Sequence, residues 1–325
     1  MMVQPLPGVV DTRPEDPART LDASDAGDAI AALLDGFSVE TTAGEAERIG
    51  RYADFLRPHA PVYIAHPAGT DFGLVVAIAR KLRDEGLEPV PHFVARSISG
   101  RDELETNIAR ATSEAGVEDV LVIAGGLSRP VGDYASSMEL LETGLFDRYG
   151  IRRIGLAGHP EGNRDIGARR LRRAILDKSA FADRTDAKLR LVTQFGFDTA
   201  AIIAWDKRIR ANGNRLPIHI GVAGLATAKT LIRYARFCGV GPSLRAFSRN
   251  ASGLLKLTTV SAPDALLAAL ARHKATDPEC GIERVHFFPF GGIPRTAAWA
   301  YAAADGRVVM RPGGGGFDVG RAVPA

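Results

Sequence analysis

The chain has 325 residues, 46% of them hydrophobic and 24% charged, and 41 Lys+Arg against 38 Asp+Glu leave a formal charge of +3. That near balance, with 7% aromatics and no basic-aromatic stripe, excludes a dedicated nucleic-acid binder. Two cysteines, Cys238 and Cys280, exclude a disulfide framework and fit a reducing cytoplasm, and no run approaches the roughly 18 apolar residues that a membrane span needs.

Residues 1–25 are proline-rich and acidic at their start and read as an N-terminal arm, without the basic-then-apolar order of a signal peptide. Short apolar runs then alternate with amphipathic stretches. The runs are Phe37–Glu40, Val62–His66, Pro89–Val94, Val120–Gly125, Arg153–Pro160, Leu189–Phe197, Ile218–Gly224 and Val285–Phe290. Most are continuously apolar, the pattern of parallel strands buried on both faces. Between them, Gly44–Leu56 places Ala46, Ile49, Ala53 and Leu56 on one helical face. The stretches Gly73–Gly86 and Gly100–Gly116 read as helices closed by a glycine cap. The span from Gly224 to Val285 is too long for one helix and reads as two or three. Eight strand–helix alternations predict a (β/α)8 barrel over residues 26–310, with extra helices before the last strand, and a doubly wound sheet as the alternative. Residues 311–325 read as a Gly-rich tail.

In such a barrel, chemistry sits at the C-terminal ends of the strands. Glu40 ends the first run, where desolvation would raise its pKa toward the range of a useful acid; the competing reading is a cap on the next helix. Gln194 ends the sixth run, and its amide can both donate to and accept from the edge of a planar heterocycle, or else tie two loops together. Asp198 reads as the N-cap of the helix after it. The turn Gly158–Asn163 gathers His159 and Glu161, and the pairs Gly125–Gly126 and Gly291–Gly292 allow a flat ligand close to the backbone. The seven histidines form no HxH or HExxH pattern, so no metal site is expected. Cys238 lies in a helical pattern and reads as core.

Taken in order, the segments GFSVETT, PVPHFVAR, GVEDVLVIAGG, DYASS, RRIGLAGHPEGN, LVTQFGFD, GVAGLATAKTLIRYARFCGV and VHFFPF resemble the methylenetetrahydrofolate reductase family over roughly Gly36 to Trp299. The resemblance implies a (β/α)8 barrel of one-carbon metabolism and methionine biosynthesis. Such a barrel would interconvert 5,10-methylenetetrahydrofolate and 5-methyltetrahydrofolate, with FAD and NADH or NADPH as cofactors. It makes Glu40 the general acid that protonates N10, and Gln194 and Tyr234 contacts of the folate. It also places His92, Tyr134, Ala135 and the turn Gly158, His159 and Glu161 against the flavin, with Lys178 near its phosphates.

The departures from the family pattern fall on the flavin side. Many members carry Arg-Gly-Asp after the fourth strand, where this chain has Ala124, Gly125 and Gly126; a strand-end threonine appears as Ala65, and a turn histidine as Asn163. Hydride passing straight from the nicotinamide is therefore the alternative to FAD. A folate-dependent methyl- or pterin-transferring barrel without a redox step, and a non-catalytic folate binder, are the other readings. The expected partner is a small folate molecule, without nucleic acid or membrane, and association of copies stays open.

Overall fold

The computed structural model describes residues 22–163, 166–237, 260–290 and 292–320. Eight parallel strands close into a barrel: β1 (Ser38–Thr41), β2 (Pro61–Ile64), β3 (Glu88–Val94), β4 (Asp119–Ile123), β5 (Arg153–Gly158), β6 (Lys188–Thr193), β7 (Ile218–Ala223) and β8 (Ile282–Phe288). Each pairs with its neighbours in sequence, and β1 closes the ring on β8 through Ser38 opposite His286. All eight apolar runs are thus strands of one (β/α)8 barrel. The two prolines of β3 are tolerated for a reason of register. The Glu88 N–H donates to Ala60 on the β2 side, so Pro89 and Pro91 turn their missing donors toward β4, whose pairing begins only at His92.

The helical layer consists of α1 (Ala23–Leu34), α2 (Phe72–Asp84), α3 (Arg101–Ala115), α4 (Ala168–Phe181), α5 (Thr199–Ala211), α6 (Ala228–Phe237), α7 (Asp264–Thr276) and α8 (Ile293–Ala304). Their apolar faces and the outward residues of the strands make one continuous core, from Leu33 and Val39 round to Phe287 and Ala300. Asp198 caps α5 by accepting from the Ala201 N–H, as its position predicts, and Gly116 ends α3 in the left-handed region. Two helices, α6 and α7, precede β8 in the described residues.

Two expectations change. The stretch Gly44–Leu56 is not one helix: a single turn over Ala43–Ala46 is followed by a separate 3-10 turn at Tyr52–Asp54. Gly50 interrupts it, and the Glu85 carboxylate takes the Tyr52 and Ala53 N–H groups that a continuous helix would use internally. The Gly-rich segment is no loose tail as far as Gly320. Val308–Met310 pairs antiparallel with Phe317–Val319, and buried Phe317 stacks on Trp299 at 5.5 Å. Arg311 clamps the turn through Asp264 at 2.6 Å and Asp318 at 2.7 Å. The arm up to residue 21, Cys238, Gly291 and residues 321–325 lie outside the described residues.

Candidate functional site

Inside the barrel the strands alternate between outward apolar and inward residues, and the inward set is unusually polar. At the N-terminal end, Arg190 of β6 is held by Asp119 of β4 at 2.7 Å and donates to the Tyr63 hydroxyl of β2 at 2.7 and 3.1 Å. All three are buried. Around them Val90, Leu121 and Val192 pack with the Tyr63 ring as a small apolar layer.

One layer higher stand two histidines and the expected acid. His286 is fully buried, its ring 4.3 Å from Tyr63 and its Nδ1 2.8 Å from the Ser38 hydroxyl. His92 faces the same ring edge-on at 6.1 Å. The Glu40 Oε2 lies 3.6 Å from His92 Nε2 and 3.8 Å from His286 Nε2, both beyond hydrogen-bond length. The two Nε2 atoms are buried and have no partner among the described residues. Burial raises the Glu40 carboxyl above its usual range, with His92 opposing in part. Burial lowers His92 to about 4, and burial with the Arg190 charge lowers His286 to about 3. The layer therefore holds two neutral imidazoles around a carboxyl biased toward its protonated form.

The mouth above is walled by aromatics. From His286 the rings run to Phe288 at 4.7 Å, Phe288 to Phe290 at 6.4 Å, and Phe290 to Tyr234 of α6 at 4.3 Å with the planes 23° apart. Phe195 closes the wall at 5.0 Å from Phe290. Phe290 adopts a left-handed backbone, φ 50°, a conformation a bulky residue seldom takes. Gln194 follows β6, and its Oε1 accepts from the Phe195 N–H at 3.1 Å. Gly221 of β7 donates to the Thr193 hydroxyl at 2.8 Å, and a Cβ there would collide with the Thr193 and Gln194 backbone. This close approach fixes the strand end that carries Gln194.

The sequence-derived site residues divide into two groups. Glu40 and His92 meet directly, and Tyr234 joins their layer through the aromatic wall. Gln194 stands at the end of β6, three places from β1 around the closed ring. In the turn after β5, Glu161 reaches across to Gly196 in the next strand loop, and burial with the Lys178 charge lowers His159 to about 4. Gly158 is pressed against Thr193 and Trp205, while Asn163 lies exposed at the end of the turn.

Several residues expected to cradle a flavin are engaged by the protein itself. Tyr134 is buried in the outer core, and the Ala135 carbonyl receives Arg96 at 3.0 Å. Arg96 also takes the Leu127 carbonyl and donates its own N–H to Ala124, locking the loop from inside. Gly125 has φ 91°, and a Cβ there would strike Val94; Gly126 is open to solvent. Lys178 is buried with its ammonium on the Ala157 carbonyl at 2.6 Å, a strut behind β5 rather than a group offered to a phosphate. Its burial lowers it to about 8.

Sequence reasoning missed His286, Ser38, Tyr63, Arg190 and Asp119. The available signal was two-residue spacing on strands that read as uniformly apolar: Ser38 with Glu40, His286 with Phe288, and Arg190 with Val192 and Gln194. Outside the barrel, Asp206, His273 and Cys280 also gather, although their sequence spacing shows no motif.

No known family model matches the sequence. Two solved structures are similar in outline. One is the putative copper homeostasis protein CutC from Streptococcus agalactiae, at 12% identity and TM-score 0.40, over 78% of this chain and 99% of that one. The other is an uncharacterized protein from Clostridium thermocellum that binds two copies of 5-methyl-5,6,7,8-tetrahydrofolic acid. It matches at 13% identity and TM-score 0.49, over 83% of this chain and 98% of that one. Neither likeness establishes a family for the chain. The resemblance to the methylenetetrahydrofolate reductases rests on the segments quoted above.

Proposed function

We propose that the chain binds a reduced folate in the C-terminal mouth of the barrel, with Glu40 as the proton donor to N10 of the ligand. The observation that carries the reading is the layer of Glu40, His92 and His286: a carboxyl held toward its protonated form beside two buried, unpartnered imidazole nitrogens. Buried polar atoms without partners mark a place where a ligand's polar edge completes the bonding. The stacked Tyr234 and Phe290 rings give a flat heterocycle a face to lie on, and Gln194 gives it an amide to read.

Binding alone does not require an acid. We therefore extend the reading to the interconversion of methylene- and methyltetrahydrofolate, with the hydride supplied by NADH or NADPH. Glu40 protonates N10, the five-membered ring opens, and the N5 iminium becomes the hydride acceptor. Proton transfer of this kind contributes about 10²–10⁴-fold to rate. His92 and His286, neutral at pH 7, donate or accept single hydrogen bonds without adding charge beside the cation. No step is assigned to a flavin, because Lys178, expected near its phosphates, is buried on the Ala157 carbonyl.

The test is calorimetric titration of the full chain with 5-methyltetrahydrofolate, followed by NADH and NADPH oxidation with methylenetetrahydrofolate. Saturable binding that weakens in Y234A, together with nicotinamide oxidation, supports the whole reading. Binding without oxidation reduces it to the folate-binding alternative, and no binding of either folate overturns it.

A further inference from the structure

On the opposite end of the barrel, three side chains with metal-ligand chemistry converge from separate elements. Asp206 lies in the middle of α5, His273 in the last turn of α7, and Cys280 in the turn that leads into β8. One donor atom from each lies within 4.8 Å of the other two. Asp206 and His273 are buried, while Cys280 is partly open to solvent.

We propose that Asp206, His273 and Cys280 form a binding site for a thiophilic divalent cation of the zinc class. The donor set decides the class: a thiolate and an imidazole select zinc and its neighbours over calcium or magnesium, which take oxygen ligands. Three protein ligands leave the fourth tetrahedral position to water on the exposed Cys280 side.

The surroundings are those of a built site. His273 Nε2 faces Asp206 Oδ2 at 3.0 Å, and its other ring nitrogen turns toward Asp277 Oδ2 at 3.9 Å, the outer carboxylate that usually orients a ligating imidazole. The Gly281 N–H donates to both Asp206 oxygens, at 3.2 and 3.4 Å, and fixes that carboxylate from the far side. Gly281 can have no side chain, because a Cβ would meet Asp206 and Arg210. Two cations stand nearby: Lys207 lies 3.7 Å from Asp277, and Arg210 reaches the same pocket with a buried, unpartnered Nε. Coordination takes the thiol proton of Cys280, and His273 binds through a lone pair of its neutral imidazole.

The position assigns the role. The cluster bridges α5, α7 and the entry to β8, and the Gly281 carbonyl accepts from Ile218 at the start of β7. This is the N-terminal face of the barrel, where fixed residues serve stability, and it is remote from the Glu40 mouth. The ion would pin the last strand to its helices and take no part in folate chemistry.

The test uses the metal-depleted full chain, titrated with zinc by calorimetry and with cobalt by absorbance, alongside C280S, H273N and C238S. The expected result is one ion per chain, a near-ultraviolet cobalt–thiolate band, and a thermal midpoint raised by zinc. All three are lost in C280S and H273N and kept in C238S. C280S is conservative and partly exposed, so the C280S and C238S pair carries the test if H273N does not fold. Equal zinc affinity in wild type and C280S, loss in C238S alone, or a wild type without a thiolate band overturns the site.

Discussion

Replacing Glu40 by glutamine separates the acid from its shape. The substitution is isosteric and neutral, and the wild-type carboxyl is itself biased to its neutral form by burial. Ligand affinity should therefore change little, while turnover with NADH or NADPH should fall by about 10²–10⁴-fold, equivalent to about 3–5 kcal/mol of barrier. Stability moves in a direction that checks the same cause. A carboxyl whose folded pKa lies above its unfolded value keeps its proton in the native state after the unfolded chain has lost it. Wild type thus loses stability as pH rises above the ordinary carboxylate range, by about 1.4 kcal/mol per pH unit, until the folded group ionises. E40Q lacks that slope, so its advantage over wild type should grow with pH and vanish in acid. Urea unfolding at pH steps from 4 to 8, with calorimetric binding and steady-state kinetics at pH 7, reads all three quantities. Unchanged turnover in E40Q, or a stability difference flat with pH, would refute the protonated-acid reading.

Removing Asp119 strands the buried Arg190 charge, so D119A should cost about 3–5 kcal/mol in chemical unfolding; a loss under about 1 kcal/mol would mean that water reaches the guanidinium. Y234A should weaken folate binding by the 0.5–1.5 kcal/mol typical of an aromatic contact, roughly two- to tenfold, without lowering the unfolding midpoint by more than a degree or two; calorimetry and thermal melts distinguish a binding face from a packing role. His92 and His286 have folded values of about 4 and 3 against 6.5 unfolded, so the unfolded chain takes up protons first and stability falls as pH drops from about 6.5 toward 4. H92Q should remove about 1.4 kcal/mol per pH unit of that slope, and an unchanged acid profile would place His92 in water rather than in the interior.

Strand positions were legible because parallel strands covered on both faces leave unbroken apolar runs, and Glu40 stood out as a carboxyl at the end of one. His286 did not, because VHFFPF is apolar enough to hide a single inward imidazole until the pairing with Ser38 sets its face. Arg190 and Asp119 are 71 residues apart, and only closure of the ring makes them partners. The bonds within the loops were not legible for a different reason. Ala135 is held by Arg96 and Lys178 by Ala157, and strand patterning carries no information about such hydrogen bonding. Gly50 misled in the opposite direction: helical spacing across it was real, but the Glu85 carboxylate offered the following turn a better set of partners. The glycines of the C-terminal segment suggested a tail, yet Gly316 is required there, since a Cβ would meet Asp264.

The interior column also explains why the proposed acid is Glu40 and not an imidazolium. Barrels of this kind usually fill the interior with apolar layers, and every polar group placed there costs free energy unless it is bonded. The lower half meets that condition: Arg190 has Asp119 and the Tyr63 hydroxyl, and Tyr63 has Arg190. The upper half does not, since both histidine Nε2 atoms stop short of Glu40. The two halves are coupled by charge. The Arg190 guanidinium disfavours a second positive charge on His286, and burial disfavours one on His92. Neither ring can then store a proton at neutral pH, whereas the same burial raises the Glu40 carboxyl above its usual range. A low-dielectric interior thus disfavours the charged form of all three groups together, lowering both imidazoles and raising the Glu40 carboxyl, which is the group the proposed reaction uses as its proton donor.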